Sequence, residues 1–81
     1  MLLPDKHIRL SESLLGLGSF LLGILRQPRT VDDIWGEYRK AREAGVYPAH
    51  HTFENVVLAL DVLFAIKAVD LTDNGLIKKC A

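Results

Sequence analysis

Cysteine, net charge, long apolar runs and catalytic signatures are all scarce in this chain, and each scarcity removes a class of function. Cys80 is the only cysteine, so no internal disulfide can form, and a reducing, cytoplasmic setting is expected. Ten basic and ten acidic side chains cancel, which removes the long-range field that draws a typical nucleic-acid binder to phosphate. The apolar stretch in the opening MLLPDKHIRLSESLLGLGSFLLGIL follows Asp5, Lys6, Arg9 and Glu12. It is too short for a membrane span and no small-residue cleavage site follows it, so a core helix and no membrane association are expected. Missing as well are a Gly-rich phosphate loop after a strand, a nucleophile elbow, and a carboxylate pair in an apolar cleft. His50 and His51 are adjacent, so in an extended loop they point to opposite sides and aim poorly at one metal ion, even with His7 or Cys80 nearby. No enzyme activity, catalytic residue, cofactor or metal is expected.

What remains is apolar material in a small body. The chain has 81 residues, 49% of them apolar, and a domain of that size buries a smaller share of its surface than a large one. The surplus points to a partner that covers it.

The pattern of elements predicts a mainly α, winged helix-turn-helix domain over 1–81. Residues 1–10 form an extended arm, of which Met1 to Ile8, without helical period and with Pro4, could add a third strand beside the wing. A first helix is expected over 11–27, capped by Ser11 or Ser13, with Pro28 ending it. Gly16, Gly18 and Gly23 inside it are unfavourable for a helix and suggest either the close approach of another backbone or a helix that frays or kinks. The second helix, over 30–44, opens on Thr30 with Asp33 three residues on, places Val31, Ile34, Trp35 and Tyr38 on one stripe, and stops at Gly45. Arg39, Lys40 and Arg42 fall in its last turns, where they complement the carbonyl end of the helix and offer a phosphate-binding patch as the alternative use.

Helix three, over 52–67, starts from the cap Thr52, and from Phe53 to Ile66 only Glu54, Asn55 and Asp61 are polar. A helix apolar nearly all round is buried on more than one side, and three short helices can enclose it only in part. Val57, Leu58, Asp61, Val62 and Ala65 are therefore expected at a partner interface, joined by Leu2, Leu3 and Ile8 of the arm. A wing hairpin over 68–80 follows, turning at Asp73-Asn74-Gly75. A two-residue loop would set Leu71 opposite Lys78. A three-residue loop with Gly75 left-handed sets Leu71 opposite Ile77 and Asp70 opposite Lys78, and is preferred because it matches apolar with apolar and acid with base.

The strings LLPDKHIRLSESLLGLG, TVDDIW and FENVVLALDVLFAIKAVDL, with the closing DNGLIKK, are similar to those of the small middle-component proteins of ABC-three-component systems, bacterial anti-phage or conflict modules related to Lamassu. The resemblance implies a winged-helix adaptor accompanying an SMC-like or RecN-like ABC ATPase and an effector subunit, with the arm and the third helix and wing as docking surfaces. It carries over no catalytic residue. The competing expectation is a small DNA-binding regulator using Arg26, Arg29, Arg39, Lys40, Lys78 and Lys79. Of these, Arg39, Lys40, Lys78 and Lys79 are the candidate phosphate contacts, and they could also reach DNA only inside the assembled complex. A homodimer would cover apolar helix surface equally well.

Overall fold

The computed structural model describes residues 13–80. Helix α1 spans Leu14–Ile24, α2 Val31–Glu43 and α3 Phe53–Ala65, and strands β1 (Val69–Leu71) and β2 (Ile77–Lys79) close the chain as an antiparallel hairpin. Mainly helical, with three helices delivered into a hairpin, the arrangement is consistent with a winged helix.

Each helix begins where a side-chain oxygen meets an orphan backbone donor. Ser13 Oγ accepts from the Gly16 N–H at 2.9 Å, Thr30 Oγ1 from Asp33 at 3.0 Å, and Thr52 Oγ1 from Asn55 at 3.1 Å. Of the two serines offered for the first cap, Ser13 takes the role, and Ser11 lies outside the described residues.

The first helix ends earlier than expected. A helix running to residue 27 would bring the Pro28 ring against the Ile24 carbonyl four residues back. The chain leaves the helix at Ile24, and that carbonyl accepts instead from the Arg26 N–H at 2.9 Å and from Arg29 Nε at 3.2 Å. Helices α2 and α3 end in the same device. The N–H of Gly45 reaches the Arg42 carbonyl and that of Val46 the Ala41 carbonyl, while Lys67 reaches Phe64 and Ala68 reaches Leu63. Both are Schellman caps, whose first residue past the helix must turn left-handed.

Gly45 takes that position at φ +78°, but in α3 it falls to Lys67 at φ +63°. A lysine there is strained because its Cβ crowds the neighbouring carbonyl. Lys67→Gly is expected to raise stability by about 0.5–1 kcal/mol, the relief being partly offset by the freer unfolded chain. A denaturant midpoint that falls in this variant would show that the lysine is not strained.

The core gathers one face from every element. Leu17, Leu21 and Leu25 of the first helix and its exit meet Ile34 and Tyr38 of α2, Val56, Ala59, Leu60 and Leu63 of α3, and Val69 and Ile77 of the hairpin. Gly18 lies at the α1–α3 crossing, but what approaches it is a side chain: an added Cβ would stand 3.4 Å from Leu63 Cδ2, an ordinary contact. No backbone comes near, and around Gly23 there is open space. Neither Gly18 nor Gly23 therefore marks the backbone contact expected in the sequence.

The hairpin takes the register with Leu71 opposite Ile77 and Asp70 opposite Lys78. The Gly75 N–H bonds the Thr72 carbonyl, the Thr72 N–H bonds that of Leu76, and Gly75 stands at φ +80°. That is a tight turn closed by a left-handed glycine. The apolar match is incomplete, since Ile77 is buried while Leu71 remains exposed.

A pairing the sequence did not announce completes the wing. Arg29, between α1 and α2, exchanges both backbone hydrogen bonds with Ile77, at 2.9 and 2.7 Å. The extra pairing expected from residues 1–8 lies outside the described residues.

Candidate docking face on the third helix

The path into α3 is set by one buried phenol. Tyr38 is fully buried on α2. Its hydroxyl donates to the Ala49 carbonyl at 2.7 Å and accepts from the His51 N–H at 2.7 Å. Two polar groups of the loop before Thr52 are thus satisfied inside the core, and the loop can only lie where they reach. His51 turns inward beside Tyr38 and Tyr47, and its Nδ1 lies 3.2 Å from Asn55 Nδ2. His50 turns outward, where Arg42 Nη1 lies 2.9 Å from its Nδ1. The two imidazoles diverge as adjacent residues should, and no group of metal-ligating side chains forms among the described residues.

Tyr47 joins the same cluster, with its ring 4.6 Å from Phe20 and 5.7 Å from Tyr38, centroid to centroid. Burial, and secondarily the neighbouring Tyr38, push its phenol up to about 12 from the ordinary 10. The sign follows from linkage. Above pH 10 the unfolded chain loses this proton while the folded chain keeps it, so the stability tied to the neutral phenol is complete below pH 10 and is lost as pH rises towards about 12. Urea midpoints measured across that window should fall, and Tyr47→Phe should flatten the decline. Equal slopes for both proteins would contradict the assignment.

From this anchored start α3 buries Val56, Ala59, Leu60 and Leu63 and turns the opposite side outward. On that side Glu54, Leu58, Asp61 and Ala65 recur at intervals of four, three and four residues and are all exposed, flanked by the half-buried Val57 and Val62. The five α3 residues singled out in the sequence, Val57, Leu58, Asp61, Val62 and Ala65, therefore share one face.

Leu58 leaves 49% of its surface to solvent. With Phe53, Glu54 and Val57 it lines a shallow groove of about 300 Å³. Phe53 was not among the residues expected at the interface. It sits in the first turn and is held edge-on to Trp35 at 5.6 Å, so its place depends on α2, and the helical period alone does not reveal it. Leu2, Leu3 and Ile8 lie outside the described residues.

The basic candidates are distributed over two elements. Arg39 and Lys40 are exposed on α2, Arg39 with its guanidinium 5.9 Å from the Trp35 ring centroid. Lys78 and Lys79 are exposed on β2, where alternation along a strand sends them to opposite faces of the hairpin. Arg29 is committed internally. Its guanidinium bonds the end of α1 and pairs with Glu37 at 3.5 Å, while its backbone holds the wing. A residue that ties α1, α2 and the hairpin together is thereby withdrawn from the set offered for DNA. The face of α3 that a groove-reading helix would present carries Glu54 and Asp61 and no cation.

A family model, the ABC-three component (ABC-3C) system Middle Component 6, matches residues 3–80. The chain belongs to that family. No curated protein and no solved structure matches it. As a middle component of a multi-component system the chain is a subunit, which implies partner subunits, and the exposed apolar side chains of α3 are a surface of this middle component that a partner could cover. Among the described residues no helix is long and apolar enough to cross a membrane.

Proposed function

We propose that this middle component is a non-enzymatic adaptor that links an SMC-like or RecN-like ABC ATPase to an effector subunit in a Lamassu-related anti-phage or conflict system. The observation that carries this reading is the outward face of α3, where the half-exposed Leu58, flanked by the half-buried Val57 and Val62, stands between Glu54 and Asp61. Apolar side chains gain by leaving water against another protein. They offer no hydrogen bonds to base edges, and the two carboxylates would meet the phosphates of a duplex with like charge. A regulator reading DNA through α3 is the weaker reading for that reason. The exposed Lys78 and Lys79 support a narrower role, phosphate contact from the wing inside the assembled complex.

The adaptor reading is tested by omission. When the ATPase, the effector and this chain are expressed together, the effector should be recovered on a tagged ATPase, and leaving this chain out should abolish that recovery. Undiminished recovery without it would remove the adaptor role.

A further inference from the structure

A second concave surface lies between the end of α1 and α2, and the α3 reading makes no use of it. Its volume is about 390 Å³. Phe20, Ile24 and Ala41 supply an apolar floor, while Arg26, Arg29 and Lys40 stand around it with a single acid, Glu37. Glu37 is already paired with Arg29. Arg26 and Lys40 are exposed, and neither has an ion-pair partner among the described residues. The groove therefore carries two uncompensated positive charges in a chain whose total charge is zero. Gly23 opens it further, since nothing stands within 4 Å of where its Cβ would be.

We infer that this groove docks an acidic segment of a partner subunit, with carboxylates at Arg26 and Lys40 and an apolar side chain over Phe20 and Ile24. Charge complementarity selects the sign of the occupant. The floor selects its class. A phosphodiester backbone needs cations and donors along a track and gains nothing from an apolar base. A peptide that alternates acids with an apolar side chain satisfies both the rim and the floor. The inference rests on family membership and not on the α3 face, so either surface can fail without the other.

Two measurements test it. In the first, a photo-crosslinking p-benzoylphenylalanine replaces Gly23 in the chain co-expressed with the other components of its system. The expected product joins Gly23 to an acidic, apolar segment of a partner subunit, and the double reversal Arg26→Glu with Lys40→Glu should cut its yield roughly tenfold without altering the helical circular dichroism. Crosslinks to nucleic acid, to a second copy of the chain or to a segment without acids would overturn the inference, as would an unchanged yield or no crosslink in an assembled complex.

The second measurement titrates the isolated chain with a fluorescein-labelled peptide of alternating Glu and Leu. Saturable binding, weakened roughly tenfold by the same double reversal, is expected. Absence of binding, or equal affinity for a peptide with Lys in place of Glu, would contradict it.

Discussion

Tyr38→Phe is expected to lower the unfolding free energy by about 2–4 kcal/mol, although it removes a single oxygen. The hydroxyl accepts from the His51 N–H and donates to the Ala49 carbonyl, both at 2.7 Å and both in the interior. Without it the Ala49 carbonyl and the His51 N–H both lose this interior hydrogen bond, and each such loss costs about 1–3 kcal/mol, with some recovery by local relaxation. The ring itself stays, and with it the contacts to Phe20, Trp35 and Tyr47, so no cavity term enters.

A domain of this size has roughly 4–12 kcal/mol of stability in total, which makes this loss a large fraction of it. It should appear as a lower urea midpoint at unchanged slope. Because the two bonds hold the loop that delivers the chain to Thr52, exchange protection at the start of α3 should fall more than at α1. A midpoint within experimental error of wild type would show that the hydroxyl does not anchor the loop.

Leu58→Asp is the second large effect, and it is expected in assembly and not in folding. Leu58 already gives 49% of its surface to water, so an aspartate there is solvated in the free chain and should shift the urea midpoint little. In a complex that covers the groove of Phe53, Glu54, Val57 and Leu58, the same aspartate is buried without a partner and beside an existing carboxylate. Losing a central apolar anchor and desolvating a charge together correspond to a weakening of roughly thirtyfold or more. Phe53→Ala should act in the same direction, with a smaller effect because its ring is partly committed to Trp35.

Much of this surface is legible in the sequence, for a simple reason. Glu54 and Asp61 are seven residues apart in a helix that is apolar but for them and Asn55, and carboxylates in a small domain stay in water. They fix which side of α3 faces outward, and Leu58, Ala65, Val57 and Val62 follow from the helical period. Helix starts are readable on the same footing, because Thr30 and Thr52 act within three residues of themselves.

What is not readable depends on distant partners. Arg29 reads as a linker cation after Pro28, but its bridging role requires Ile77, on the far side of two helices. Tyr38 reads as one more member of the α2 stripe, yet its hydroxyl matters only because residues 49–51 fold back over it. The end of α3 is obscured for a local reason: Lys67 holds the left-handed position where Gly45 marks the end of α2. With no glycine to signal the stop, the apolar pattern reads on to residue 67. The expected backbone contact at Gly18 fails because Leu63 fills that space with a side chain.

The outward face of α3 as a protein-docking surface is the central claim of the adaptor reading, and calorimetric titration of the purified partner component into this middle component tests it most directly. Wild type should bind, Leu58→Asp should bind roughly thirtyfold or more weakly with its urea midpoint preserved, and Lys78→Glu with Lys79→Glu should leave the affinity nearly unchanged. Wild-type affinity in Leu58→Asp, with binding lost instead on reversing the two wing lysines, would contradict the account and move the functional surface to the hairpin.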